Sequence, residues 1–371
     1  METYRLNSKL VENNKEYFIK TANDISMGAV HSEVYIDGQI ADRIIMPHPE
    51  QINSEEILTL VQSTHEERKT EVETLLKAVS YTLDSNNCDA IYHLGLAFFY
   101  KRFYLEAVDL FNKAIEINSD YHQAYNMLGQ AQLLAGNVEI GLEAAQKAVS
   151  YKPEFADYRN HLGEAFLANR MYREAILEFD RAININLYYG DAYFNYALTL
   201  VVNAREKKDT DLFKNFLLKA KDYFTKATLI NTEYKSSLYD KGMTALESKN
   251  LDTAWECLSE VSQNKKERDR SKSAPFYMKY ALHPKWITEK AIVNRVKFLQ
   301  REIEKNPTYV DLYAELARCN LLMAKMYWHK GIHQYKKTLE LNPSLSHIYK
   351  NLEATEKLYN QLNQIIGNIE E

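Results

Sequence analysis

The chain has few cysteines, glycines and prolines, no long apolar run and only a small excess of charge. Its three cysteines, Cys88, Cys257 and Cys319, are far apart, odd in number and form no CxxC. That pattern fits buried or inert thiols in a reducing compartment, so the cytoplasm is the expected location. Eleven glycines and seven prolines in 371 residues favour helix and argue against a loop-rich all-β chain. No stretch of about 18 apolar residues offers a membrane span, and the polar N-terminus METYRLNSKLVENNKEYF lacks the apolar core of a signal peptide. A net charge of −5 gives no bulk electrostatic reason to expect nucleic acid or an anionic membrane as partner. Motifs for chemistry are also missing: there is no phosphate loop, dinucleotide glycine pattern, nucleophile elbow or HExxH. His329 and His333 stand four apart on a predicted helix, a spacing that could hold zinc, but no third ligand or supporting shell is evident. The expectation is a non-enzyme with no cofactor, no metal and no catalytic residue.

What is present is patterned in two ways. Residues 1–50 hold β-branched and aromatic runs, EYFIKTA and AVHSEVYIDGQIADRII, separated by turn signals. They predict a small antiparallel unit of three or four strands between residues 4 and 46. Asp37-Gly38 marks a hairpin. A two-residue loop there would set Glu33 opposite Asp42, two like charges. A three-residue loop ending at Gly38 instead pairs Val34 with Ile40 and Val30 with Ile44, and is preferred for its one-sided apolar face. Residues 51–86 read as a linking helix, capped by Ser54. Its apolar stripe runs through Ile57, Leu60, Val61 and Thr64, then Val72, Leu75, Leu76 and Val79.

From Cys88 the same small residues return every 34 positions. Gly95, Gly129 and Gly163 each follow a leucine, and Gly242 fills the slot again. Ala107, Gly141, Ala175, Ala220 and Ala254 fill a second slot; Ala114, Ala148, Ala182 and Ala227 a third. Phe111, Ala145, Phe179, Phe224 and Leu258 fill a large slot between them. Pro153, Pro307 and Pro343 stand where a second helix would end. This stretch resembles the tetratricopeptide repeat family. The resemblance implies a mainly α fold, a tetratricopeptide α-solenoid of helix–turn–helix units, preceded here by the small β unit. Five repeats are expected over 87–264, with eleven extra residues in the fourth. A basic linker and helix follow at 265–305, then a degenerate last repeat and capping helix at 306–371.

The family's members are mostly binding scaffolds, and the resemblance implies a concave face lined by the first helix of each unit. Carried over slot by slot, it points to a peptide-binding groove of Tyr92, Leu96, Phe99, Asn126, Gln130, Asn160, Glu164 and Phe194. Neighbouring slots add Asp89, Asp157 and Asp191, so the groove has acids and no base. Without a base it departs from the carboxylate clamp that some family members use. Asn126 and Asn160 share a slot one unit apart, and a ladder of amides could grip an extended peptide backbone. The bland alternative is that Asn is common in this slot.

Residues 265–301 carry eleven Lys or Arg against three Asp or Glu in an otherwise acidic chain. KKERDRSKSAP reads as an exposed linker. The expected function is a protein–protein interaction scaffold or adaptor that holds a peptide or helix of a partner protein. The alternatives are an accessory subunit of an enzyme or envelope assembly machine, or an RNA-binding adaptor using this basic segment with Tyr277, Tyr280 and Trp286. One speculative reading lets the segment lie against the acidic groove as an internal ligand.

Overall fold

A computed structural model of the chain describes residues 3–12, 15–36, 38–49, 52–84, 86–209, 215–282, 289–305 and 310–370. Two compact units divide it: Met1–Glu178 with Gln263–Pro284, and Phe179–Ser262 with Lys285–Glu371.

The first unit opens with four antiparallel strands in sequence order, β1 (Arg5–Glu12), β2 (Lys15–Asp24), β3 (Ala29–Ile36) and β4 (Gln39–Pro47). The β3–β4 hairpin differs from the register preferred on sequence grounds. Ile36 pairs with Gln39 and Tyr35 with Ile40, so only two residues lie between the strands, and Asp37 is outside the described residues. A bulge between Val34 and Tyr35 then shifts the pairing by one. It sets Glu33 opposite Arg43 rather than opposite Asp42. The like-charge clash that argued against a short loop is avoided, and Asp42 turns to the buried face.

Helix α1 (Ser54–Asp84) follows. Its cap is Asn53, not Ser54: the Asn53 side chain accepts from Glu56 N at 2.9 Å, and Glu56 returns the bond to Asn53 N at 3.1 Å. The expected stripe is buried, with Ile57, Val61, Val72 and Leu75 against the sheet or the first repeat. Its middle is polar, however. His65 and Arg68 are buried between Thr64 and Val72.

The repeats begin with α2 (Cys88–Tyr100) and α3 (Tyr104–Ile117), then α4 (His122–Leu134) with α5 (Val138–Tyr151), and α6 (Ala156–Ala168) with α7 (Tyr172–Ile185). Small slots explain the close crossings within each pair. A Cβ on Gly95 would stand 2.6 Å from the Phe111 ring, and one on Gly129 would stand 3.1 Å from backbone atoms of Gly141 and Ala145. The turns repeat as well. Arg102, Gly136 and Arg170, each 34 residues apart, are all left-handed, with φ of 64°, 89° and 58°. Glycine suits that conformation; arginine pays for it in backbone strain.

In the second unit, α8 (Gly190–Glu206) and α9 (Phe216–Ile230) form the fourth pair, followed by a short 3-10 turn at Thr232–Tyr234. The extra residues lengthen α8 to 17 residues, and Asn203 then holds Asp209 by two bonds of 2.9 and 3.0 Å. The fifth pair is α10 (Ser237–Glu247) and α11 (Leu251–Leu282). Helix α11 corrects the expected linker: it is one helix of 32 residues, running through KKERDRSKSAP. Lys, Arg and Glu are good helix formers, and the run is laced by Lys265–Asp269 and Arg270–Glu267 pairs at 2.8 Å. Helices α12 (Glu289–Lys305), α13 (Val310–Leu341) and α14 (Ser346–Glu370) pack in chain order. The expected last repeat is not a helix–turn–helix. Helix α13 passes straight through Gly331, where an added Cβ would meet nothing within 4 Å. Pro307 lies outside the described residues. Among the described residues no helix is long and apolar enough to cross a membrane.

Candidate functional site: the inner helices of the first unit

Helices α2, α4 and α6 lie in a row in the first unit, each the first helix of its pair. The expected groove residues fall on this row in three kinds. Leu96 and Phe99 are buried, and Phe99 meets Tyr100 and Tyr104 edge-on at 5.5 and 5.8 Å. Tyr92 is half-buried within a ring cluster with Phe111 and Tyr121. Gln130 and Glu164 are half-buried and polar.

The asparagine pair does not stand as exposed amides. Asn126 and Asn160 are 5% and 2% exposed. Asn126 Oδ1 is taken by His161 Nδ1 on the next inner helix, 2.9 Å away, so that amide ties α4 to α6. Sequence reasoning missed His161, because nothing in a one-unit slot comparison pairs it with a residue 35 positions back. Phe194, in the second unit, is also core rather than groove. It stacks on Tyr234 at 4.2 Å and meets Phe224 at 4.9 Å, on a helix buried on every side. Two expected groove acids are occupied too: Tyr121 donates to Asp89, and Tyr234 to Asp191, both at 2.7 Å.

Against the inner row of the first unit lies the stretch of α11 beginning at Gln263. Lys266 reaches Glu164 on α6 at 2.8 Å. Its sequence neighbour Glu267 pairs with Arg102, in the α2–α3 turn. Arg270 stands 5.8 Å over the Tyr104 ring at the start of α3. Lys265 is 3% exposed, and its ammonium is held by Asp269.

The Arg102 end of this contact belongs to a longer chain of charge. Arg102 also lies 3.9 Å from Asp42, which the β-bulge has turned inward. Asp42 pairs with Arg68 at 2.5 Å, Arg68 with Glu71 at 2.5 Å, and Glu71 with Lys101. Burial works against the Arg102 charge, but Glu267 and Asp42 outweigh it and hold its guanidinium above the ordinary value. Burial likewise pushes the Tyr104 phenol up, against the pull of Arg270 and Arg102. Sheet, α1, first repeat and α11 thus meet in one ionic line. A signal for Arg102 was present in the sequence: in the 34-residue phase it occupies the position of Gly136.

Two other polar features among the described residues are closed on themselves. A depression of about 630 Å³ on the outer sheet face is lined by Arg5, Lys20, His31 and Glu33, and Glu33 is already held by Arg43 and Tyr35. Ser8, His65, Thr21 and Ser32 form a hydrogen-bonded line inside the first unit, with links of 2.8, 3.0 and 2.8 Å. His329 and His333 are exposed, and among the described residues no three His, Cys, Asp or Glu side chains converge on one point.

Residues 92–139 and 135–192 match the family model described as tetratricopeptide repeat. One curated relative, the BBSome complex member BBS4 of Bos taurus, is 28% identical over 93 residues, which are 25% of this chain and 18% of that protein. The match therefore spans less than a fifth of the relative's length. Among solved structures, MamA from Desulfovibrio magneticus RS-1 is 17% identical, with 48% of this chain and 95% of that chain covered at a TM-score of 0.37. YrrB, a TPR protein with an unusual peptide-binding site, is 17% identical, covering 54% and 97% at 0.35. A thermophilic TPR protein of Thermus thermophilus, TTC0263, is 18% identical, covering 63% and 100% at 0.34.

Proposed function

We propose, from the tetratricopeptide repeats at residues 92–192, that this chain is a non-catalytic scaffold or adaptor whose inner repeat face holds a peptide or helix of a partner protein. Repeats of this kind generally mediate protein–protein contact, and stacked pairs leave a long face free for it. The observation that carries the reading is Glu164. This charged residue of an inner helix takes its partner, Lys266, from a helix segment beyond the expected end of the fifth repeat. An inner face that accepts one such helix has the shape and chemistry to accept another. Three cysteines, far apart, odd in number and forming no CxxC, fit a reducing compartment, so we place the protein in the cytoplasm. An RNA adaptor is the weaker reading, because Lys265, Lys266 and Arg270 of the basic segment already face acids of their own chain. Trp286 lies outside the described residues, as do the Tyr277 and Tyr280 side chains.

The test is site-specific photo-crosslinking of the full chain in cells. A photoreactive residue at Gln130 or Leu167, on the inner helices, should trap a partner protein. The same residue at Glu143 or Gln146, on the solvent side of α5, should not. Equal trapping from both faces, or trapping from α5 alone, would count against the proposal.

A further inference from the structure

We infer that residues 263–270 of α11 are an internal ligand of the inner face. The partner that displaces them would be a helix with the same charges in the same order, a base for Glu164 followed by an acid for Arg102. The inference rests on the reading above, that this face binds partner proteins. Lys266 and Glu267 are adjacent, and so point about 100° apart on a helix. They reach charges on α6 and in the α2–α3 turn, the two ends of the inner row. A helix lying across the row serves both at once. A repeat needs its second helix to run only about 14 residues, as α3, α5 and α7 do. Helix α11 runs 32, and the excess, from Gln263 on, belongs to the first unit.

The contact is built to exchange. Over 263–270 the side chains that α11 buries are polar: Lys265, with Asp269 and Arg270 partly covered. Paired charges taken out of water roughly break even, so docking is held by matching rather than by a large hydrophobic gain. Lys266 remains 47% exposed at its side chain, where salt weakens its pair with Glu164. Gln130 Nε2, on the middle helix of the row, has no acceptor among the described residues. Arg102 fits the same account. It tolerates a left-handed backbone where the next repeat has glycine, and that placement sets its guanidinium between Asp42 and Glu267.

The full chain provides the test. Amide hydrogen exchange over 263–270 is compared in the wild type and in Lys266→Glu/Glu267→Lys, which reverses the segment and leaves the face intact. The reversal should speed exchange about tenfold, since a polar stretch of helix released from its packing opens more readily. Adding Glu164→Lys, which re-forms the pair with position 266 and leaves Arg102 beside Asp42, should restore part of the slow exchange, which a folding defect would not allow. A fluorescent peptide of residues 258–282 is then titrated into both chains. It should bind the reversed chain about tenfold more tightly than the wild type, where it must compete, and its own charge-reversed form should bind neither well. Equal exchange in wild type and reversed chain would overturn the internal ligand while leaving the crosslinking test of the face unaffected. Faster exchange without peptide capture would overturn the partner chemistry and leave the binding role of this face to the crosslinking test.

Discussion

Tyr121 closes the first repeat by donating its hydroxyl to Asp89, 32 residues earlier and 2.7 Å away, and Tyr234 closes the fourth in the same way on Asp191, 43 residues earlier. The eleven-residue difference equals the insertion in the fourth repeat, so the extra residues leave the latch between the unit's last tyrosine and its first turn intact. Burial and the facing Asp89 keep the Tyr121 hydroxyl protonated far above the ordinary range, so it serves as a donor at any working pH. Tyr121→Phe and Tyr234→Phe keep both rings in place and remove one hydrogen bond each. Each should lower stability by about 1–2 kcal/mol in chemical denaturation. No loss in either variant would mean that the pair is not a structural latch.

The glycines divide by what surrounds them. Gly129 faces backbone of Gly141 and Ala145 at 3.1 Å, atoms that cannot swing aside. Gly129→Leu should cost about 3 kcal/mol or more through overpacking and loosen the second repeat. Gly331 sits within α13 with open space around it. Gly331→Ala should therefore raise stability by about 0.5–1 kcal/mol, as expected inside a continuous helix. A destabilising Gly331→Ala would mean that the chain at Gly331 is not a continuous, uncrowded helix.

His65 makes folding sensitive to acid. Its ring lies between Ser8 of β1 and Thr21 of β2, with Ser32 of β3 beyond, and Glu66 and Lys69 are the charges near it on its own helix. Burial holds its pKa below the ordinary imidazole value of 6.5. The unfolded chain then binds the proton more readily than the folded one. This contribution is complete above pH of about 6.5 and is lost as the pH falls below it. Thermal melts from pH about 7.5 to about 5 should show the wild type losing more stability than His65→Gln. Parallel losses would show that His65 is not buried as a neutral group.

Much of this molecule was legible from spacing alone, and the exceptions share a physical cause. Repeat phase is written in residues that must be small wherever helices cross, so Gly95, Gly129 and the alanine slots marked every crossing in the first three pairs. Side-chain occupancy of the inner face was not legible, because it depends on residues far along the chain: His161 for Asn126, Lys266 for Glu164. Helix α11 was hidden by its own composition, since a charged helix without an apolar stripe reads like a linker. In α13 the match of Pro343 to Pro153 suggested a last helix–turn–helix that the backbone does not make. The β-bulge was hidden for the opposite reason. One unpaired residue, Ala41, resets the alternation, and a two-residue period cannot announce where it will slip.

That bulge makes a prediction whose sign separates two hairpins. Without it, a two-residue loop would set Asp42 opposite Glu33 on the open face, and replacing Asp42 would relieve a like-charge pair and stabilise the chain. With it, Asp42 is buried and serves Arg68, itself 3% exposed, and Arg102. Asp42→Ala then leaves the buried Arg68 guanidinium to Glu71 alone and should cost about 2 kcal/mol. Replacing both partners, Asp42→Leu with Arg68→Met, removes the need for the pair and should recover most of that loss. The single variant should also speed amide exchange over residues 263–270, because Arg102 loses the carboxylate that steadies it toward Glu267. Chemical denaturation of the wild type, the single and the double variant reads the first effect, and exchange reads the second. A stabilising Asp42→Ala would place the aspartate on the open face and break the ionic line from the sheet to α11 at its first link.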